Sequence, residues 1–537
     1  MTDDTPFVDW LAARLRQAGT RRIFGVPGGG TSLDLVAAAR RQGIEMVLTA
    51  REDAAVIMAG VSGVLAEAPG VAFATKGPGL ASAANGLASA SLDRMPALLI
   101  AETFVPGELG YVSHQAFDQA ALAAPLLQGG MDNVLEASVD SVEAWFSAGP
   151  MPMRAPAVMF PTSAELRRPA APPQQSSTPS GVTTFDRGDI DRAREMLQQS
   201  GNPVVIVGLD AARPALAEPL RALLEGVNAA ALTTYMAAGS VPFDHPNFAG
   251  IFTGGEIEKP CVDEADLIAL VGLDPVELIR KPWTYRAPVL DLCEIVREPH
   301  YLEPALRLCA PLAELLTVVC PSTPPHSSWS HDRIRAHRER FLEGLEIESE
   351  SELSSSEVVK AVAGAFAGRP RLSVDAGAHM FSACTFWPAK AARDVLISNG
   401  LATMGFAIPA GIAAALHEPS RGAVAMTGDG GAMMCLGELK TAAATGANVC
   451  IVVFNDGRLS LIDLKREERQ MPDLGLTWSR PDFAAVAAGF GLRSWRPASI
   501  DELSAACAEA AASDGPCLID AQIDSSGYLA QMKSLRG

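Results

Sequence analysis

AVAMTGDGGAMMCLGELKTAAATGANVCIVVFND, from Ala423 to Asp456, is the stretch whose reading decides the fold of this chain. An apolar run, AVAMT, ends in Gly428-Asp429-Gly430-Gly431. A helix-like stretch follows, and a second apolar run, VCIVVF, ends in Asn455-Asp456-Gly457. The pattern predicts strand, turn, helix, strand: one βαβ unit with polar residues at the carboxyl ends of both strands. Open α/β sheets bind ligands at that edge. Glycines there let the backbone approach a phosphate closely, and a helix N-terminus favours negative charge. Asp429 and Asp456, at the same edge, could hold a hard cation such as Mg²⁺ against that phosphate. An ordinary βαβ unit with a glycine-rich turn would read much the same, so the rest of the chain decides between the two.

The first 170 or so residues repeat the alternation. RRIFGVPGGGTSLDLV predicts a strand, a turn through Pro27-Gly28-Gly29-Gly30 and a helix start. EMVLTAREDAAVIMAGVSG predicts a strand, then Arg51-Glu52, then a helix of small residues. In GVAFATKGPGLASAANGLASASLDRMPALLIAE a strand ends at Gly77-Pro78-Gly79, an Ala/Ser-rich helix follows, and a further strand starts at Ala97. Such alternation argues for parallel sheets covered by helices. Two Pro/Ser-rich breaks, Arg167 to Val182 and Pro321 to Asp332, read as linkers. Between them VVIVG and LIALVG mark a third α/β unit, and after the second a charged helix is expected from about Asp332 to Glu350. The expected fold is therefore α/β, with three doubly wound parallel-sheet domains at 1–167, 183–320 and 351–537.

Composition narrows the function. The net charge is −19, which opposes nucleic acid or an anionic membrane as partner, since both need a basic face. Nine cysteines without CxxC spacing suit a reducing cytoplasm better than a disulfide framework. The N-terminus, MTDDTPFVDWLAARL, lacks the basic and apolar regions of a signal peptide, and no apolar run reaches the roughly 20 residues of a membrane helix. A cytoplasmic protein without nucleic-acid or membrane partners is the expectation.

The Ala423–Asp456 segment resembles the thiamine diphosphate motif, a GDG followed by a helix and an apolar strand ending in Asn-Asn. By position Asp429 matches the family's first metal ligand. Asn455 matches the first Asn of the pair, and Asp456 stands where the second, a metal ligand, is usual. The backbone carbonyl of Arg458 would be the third protein ligand. Asp for Asn keeps an oxygen ligand and adds a negative charge. SVDAGAHMFSACTFWP and SNGLATMGFAIPAGIAAAL resemble the family's diphosphate loop and its Gly-x-x-Met-Gly-Phe-x-x-Pro turn. The N-terminal units look like its pyrimidine-binding domain. Taken in order along nearly the whole chain, these segments resemble the superfamily of acetolactate synthase, pyruvate decarboxylase and benzaldehyde lyase, and within it the acetolactate-synthase-like group. The resemblance implies pyrimidine-binding, central and diphosphate-binding domains in that order.

The resemblance also implies roles. Glu52 falls at the catalytic glutamate, which hydrogen-bonds the aminopyrimidine N1′ and helps the cofactor lose its C2 proton. Its neighbour Arg51 departs from the usual His or Asn. Gly77, His379, Met404, Gly428, Gly430 and Gly431 fall at cofactor-binding positions. His114 and Gln115 occupy a loop where decarboxylases carry a His pair and acetolactate synthases Phe-Gln. Gly29 and Gly30 lie where relatives place a proton donor, so an open mouth is expected there, favouring carboligation. Leu459, Ser460 and Ile462 are candidates to face the substrate. The implied cofactors are thiamine diphosphate and Mg²⁺, with FAD less favoured. The implied reaction is decarboxylation of a 2-oxo acid with or without carboligation. FAD-containing acetolactate synthase, a benzaldehyde-lyase-like enzyme on 2-hydroxy ketones, and a non-catalytic cofactor-binding protein are the alternatives. Intact Glu52 argues against the last. A homodimer or homotetramer with active sites between chains is also implied.

Overall fold

Three six-stranded sheets, each wholly parallel and flanked by helices, carry the chain. The computed structural model describes residues 4–536 apart from 106, 150–153, 172–185, 279–282, 298–301, 322, 324 and 350–351. Most of the first expected linker thus lies outside the described residues. The first sheet holds β1 (Arg22–Gly25), β2 (Glu45–Leu48), β3 (Gly70–Ala74), β4 (Ala97–Ala101), β5 (Val134–Leu135) and β6 (Ala157–Met159), ordered β2-β1-β3-β4-β6-β5. The middle sheet holds β7 (Pro203–Val207), β8 (Ala230–Thr233), β9 (Phe248–Ile251), β10 (Leu267–Val271), β11 (Val289–Cys293) and β12 (Leu306–Cys309), ordered β12-β11-β10-β7-β8-β9. The third holds β13 (Arg371–Val374), β14 (Val395–Ile397), β15 (Ala423–Gly428), β16 (Val449–Asn455), β17 (Arg493–Trp495) and β18 (Cys517–Gln522), ordered β14-β13-β15-β16-β18-β17. The outer two sheets share one winding, and the middle one has the winding of dinucleotide-binding sheets.

The strands are short apolar runs because helices flank the sheets; GVAFA of β3 and ALLIA of β4 are buried throughout. In each sheet the first reversal in the direction of growth falls between β1 and β3, β7 and β10, and β13 and β15. Each reversal leaves a crevice at the carboxyl ends of the strands. The small-residue helix Glu52–Ala66 packs on the helix Ala407–His417, and both are buried on nearly all sides. One apolar core thereby runs from the first sheet into the third, and another joins the middle and third units.

Two expectations need correction. The charged helix spans His331–Glu343 and stops at Gly344, short of Glu350. The helix after GDG is two helices, Asp429–Met434 and Glu438–Thr445. The chain breaks where Gly437 meets the first domain: a β-carbon there would stand 2.6 Å from Ala50 Cβ. No helix among the described residues is long and apolar enough to cross a membrane. All nine cysteines are free.

Candidate active site

The switch point of the third sheet is organised by a carboxylate. Asp375 directly follows β13 and is fully buried. It accepts hydrogen bonds from the amides of Gly405 (3.0 Å), Phe406 (2.6 Å) and Ala407 (2.9 Å) and from the Thr427 hydroxyl (2.7 Å). It thus caps the Ala407–His417 helix, fixes the turn carrying Met404 and ties both to β15. Burial pushes its carboxyl above the usual range, while these donors act the other way. A β-carbon on Gly431 would stand 2.1 Å from Asp375 Oδ2, so only glycine fits. Sequence reading missed Asp375; an aspartate ending the apolar run RLSV was the available signal.

Around this switch point lies a cavity of about 400 Å³. Its lining includes His379, Met404, Gly428, Asp429, Gly430, Gly431, Asp456, Arg458, Leu459, Ser460 and Ile462, so the expected residues of this half converge. Met404 and Leu459 meet at Gly430, where a β-carbon would stand 3.1 Å from Met404 Cε and 3.0 Å from Leu459 Cδ2. The His379 ring stacks on Phe454 with centroids 5.2 Å apart. Burial lowers its pKa to about 4, against an opposing hydrogen bond with the Met426 backbone. Its Nε2 is buried and has no hydrogen-bond partner among the described residues. An anionic oxygen brought to that nitrogen would draw a proton onto it.

The two carboxylates stand at the ends of β15 and β16, which pair in register. Asp429 Oδ1 accepts from the Gly430 amide (2.8 Å), and Oδ2 from the Gly457 amide (2.9 Å) and Trp478 Nε1 (3.0 Å). Asp456 accepts from the Arg458 amide at 3.3 Å and from the Ser460 hydroxyl. Burial and the Asp456 charge raise Asp429 to about 7; burial raises Asp456 to about 6, with the Ser460 hydrogen bond opposing it. Such a pair favours a bound cation, which would remove the cost of ionising both. Among the described residues no three His, Cys, Asp or Glu side chains group around one point. A cation here therefore also needs backbone oxygen or ligand oxygen. Trp478 is a second residue that sequence reading missed; it lies beyond the Ser460–Glu468 helix.

The other half of the expected site lies on the first sheet. Glu52 opens its helix and is half-buried. The Ala50 and Arg51 amides before it both donate to Glu438 Oε1 at 3.1 Å, so a buried carboxylate of the third unit fixes the helix start. Gly77 adopts φ +67° and Gln115 φ +61°. They pack together: a β-carbon on Gly77 would stand 2.6 Å from the Gln115 carbonyl oxygen. His114 is exposed. At Gly29 no described residue lies within 4 Å of a β-carbon position, but at Gly30 the Glu102 carboxylate fills the space, 2.5 Å away. None of Glu52, Gly29, Gly30, Gly77, His114 or Gln115 lines the 400 Å³ cavity, whose lining runs only from Ala376 to Arg536.

Comparison with known proteins agrees with this division. Models of thiamine pyrophosphate enzymes (pyrophosphate and diphosphate name the same cofactor) match three segments. The N-terminal TPP-binding domain matches residues 6–122, the central domain 190–289, and the C-terminal TPP-binding domain 375–521. The chain belongs to the thiamine pyrophosphate enzyme family. It is similar to the acetolactate synthase of Bacillus subtilis (strain 168), 26% identical over 95% of this chain and 92% of the relative. It is similar to the catabolic acetolactate synthase of Raoultella terrigena, 24% identical over 96% and 94%. The acetolactate synthase isozyme 2 large subunit of Escherichia coli (strain K12) is 25% identical over 96% and 95%. The chain is thus acetolactate-synthase-like over its whole length.

Proposed function

We propose that this chain is a thiamine diphosphate- and Mg²⁺-dependent enzyme of the cytoplasm. It decarboxylates a 2-oxo acid and passes the remaining acyl carbon to a proton or to an acceptor carbonyl. The observation that carries this reading is the cavity at the β13/β15 switch point. There a glycine floor, an unpartnered His379 nitrogen and two carboxylates that resist ionising converge. The residues fit the cofactor. Gly428, Gly430 and Gly431 would cradle the diphosphate, with His379 Nε2 toward an anionic oxygen. Asp429, Asp456 and the Arg458 carbonyl would hold Mg²⁺. Met404 would support the body of the cofactor. When bound, thiamine diphosphate supplies the nucleophilic carbon and the electron sink for loss of carbon dioxide. Glu52 would hold and exchange a proton at the aminopyrimidine N1′.

The two half-sites call for a second copy of the chain. Exposed apolar side chains sit near both edges: Leu48, Tyr111 and Phe117 beside the first, Met433, Met434 and Ile462 beside the third. Apolar surface of this kind marks an association face. A homodimer, or a homotetramer built from it, would set Glu52 of one copy over the cavity of the other.

The reading without FAD rests on the middle sheet. Its switch point is filled by its own side chains. Arg297 pairs with Asp210 and, at 3.2 Å, with Asp274, which Arg94 of the first unit also grips at 2.7 Å. A β-carbon on Gly208 would stand 2.4 Å from Leu273 Cα. A flavin would have to displace this buried network, so purified protein is expected to be colourless; stoichiometric flavin absorbance would defeat the reading. The second reaction, cleavage of 2-hydroxy ketones, is favoured by the open space at Gly29. A panel of 2-oxo acids and 2-hydroxy ketones, with and without acceptor aldehydes, analysed by mass spectrometry, separates the two. Carbon dioxide release from a 2-oxo acid supports the first. Products from hydroxy ketones alone would replace it with the second.

Asp429 and Asp456 also set a pH dependence. Both folded pKa values, about 7 and about 6, lie above the ordinary 3.8. The cofactor-free protein therefore binds more protons folded than unfolded, and loses stability as pH rises from about 4 to about 7. Protons compete with the metal for these carboxylates, Asp429 above all, so Mg²⁺ with thiamine diphosphate should bind more weakly as pH falls from about 7 to about 5. Calorimetric titration across that range checks this, and affinity that is flat with pH would contradict it.

A further inference from the structure

The carboxyl edge of the first sheet holds a charged pair with no role in the scheme above. Lys76 follows β3 and Glu102 follows β4, and these strands are neighbours. The Lys76 ammonium lies 3.3 Å from Glu102 Oε1, the two side chains being 27% and 12% exposed. It also sits 4.7 Å from the ring centroid of the buried Phe104. Glu102 turns toward the glycine turn after β1. A β-carbon on Gly30 would stand 2.5 Å from its Oε1, and one on Gly28 would stand 3.5 Å from its Oε2 and 2.4 Å from Thr75 Oγ1. One on Gly79 would stand 3.0 Å from Thr75 Cγ2 and 3.4 Å from Glu52 Oε1. Glu52, Thr75, Glu102 and Lys76 therefore form one row along this edge. Gln119 fastens the row, donating from Nε2 to the Glu102 carbonyl (3.0 Å) and accepting from the Gly77 amide (3.0 Å). At Gly29 no described residue lies within 4 Å of a β-carbon position, so the row opens there.

We propose that Lys76 is a catalytic residue: its ammonium, held in place by Glu102, binds the oxygen of the substrate carbonyl and stabilises the charge that develops there. This deepens the proposed function and rests on it. When a nucleophilic carbon adds to a carbonyl, the C=O π pair moves onto oxygen. A preorganised cation at that oxygen lowers the barrier most in a site that excludes water. As the new C–C bond forms, one of the three ammonium protons moves from Lys76 Nζ to that oxygen. When the bond breaks and C=O re-forms, the proton returns to Nζ. Gly30 lacks a side chain because Glu102 occupies the place. Glu102 is the positioning residue.

The test uses the full-length chain loaded with thiamine diphosphate and Mg²⁺, as Lys76→Met, Lys76→Arg and Glu102→Gln variants. Two quantities are read: hydrogen–deuterium exchange at the cofactor C2, and turnover of the best 2-oxo acid across pH. Exchange should stay within about threefold of wild type in all three, because it needs Glu52 and no substrate. Turnover should fall on the order of 10²-fold in kcat for Lys76→Met, as for loss of one oxyanion donor. Lys76→Arg should recover part of it, and Glu102→Gln should lower kcat less, with KM little changed. Wild-type turnover in Lys76→Met overturns the assignment alone. Exchange lost together with turnover in that variant also overturns it, since the pair would then serve the cofactor or the fold. A wild type that exchanges C2 yet transforms no 2-oxo acid or 2-hydroxy ketone overturns the assignment and the proposed reaction together.

Discussion

Asp429→Ala is expected to abolish Mg²⁺-dependent binding of thiamine diphosphate while the chain still folds. Asp429 contributes an oxygen at the end of β15 and is the more strongly perturbed of the two cavity carboxylates, with a pKa near 7. Removing even an outer-shell partner of a metal site costs about 10–100-fold in affinity, so loss of a ligand should cost at least that. The fold should survive because Asp375 and Thr427, rather than Asp429, hold β13 to β15 through the 2.7 Å hydrogen bond. Asp456→Asn should be mild, since it keeps an oxygen ligand and removes one of two like charges. Its apparent Mg²⁺ affinity should also depend less on pH. Titration of both ligands by calorimetry, with circular dichroism as the folding control, distinguishes the variants. If Asp456→Asn binds as poorly as Asp429→Ala, the extra carboxylate has a function of its own and the cation-relief argument fails.

Glu52→Gln should retain cofactor binding and lose turnover by on the order of 10²-fold or more, as expected for loss of a positioned acid–base group. Its carboxylate faces the Gly79 end of the row that also holds Thr75 and Glu102. The Glu438 clamp on the Ala50 and Arg51 amides keeps the helix start in place in the variant. Exchange at the cofactor C2 should be lost in parallel, which separates this residue from Lys76. Because Glu52 does not line the cavity of its own chain, the defect should be complemented. A mixture of Glu52→Gln and Asp429→Ala chains, allowed to exchange subunits, should regain activity at one hybrid site per dimer. A mixture that forms hybrids by mass and stays inactive would refute a site shared between copies, as would an active monomer by light scattering.

The second half of the chain was the more legible. From AVAMTGDGG and VCIVVFND the strands β15 and β16 and the placement of Asp429 and Asp456 on one edge follow directly, and the structure gathers both in one cavity. Apolar runs bounded by glycine turns fix strand positions because burial on both faces demands them. The helix break at Cys435–Gly437 was not legible, because its cause is a contact with Ala50 nearly four hundred residues away. The open mouth expected at Gly29 and Gly30 was half right for the same kind of reason. Nothing in VPGGGTS announces that Glu102, from another strand, fills the space at Gly30.

Sequence by itself determined what is local: three parallel α/β units, the glycine turns, and the carboxylates at strand ends that suit a cation and a diphosphate. These follow from hydrophobic periodicity and backbone sterics, which act over a few residues. Tertiary structure alone decided which side chains share a site. Asp375 reaches Thr427 across 52 positions, Glu438 reaches Ala50 across 388, and Lys76 meets Glu102 only because β3 and β4 are paired. It also decided that Glu52 and the Asp429 cavity lie apart within one chain. Charge, hydrogen bonding and exclusion of water depend on distance in space, and that distance is set by the winding of the sheets.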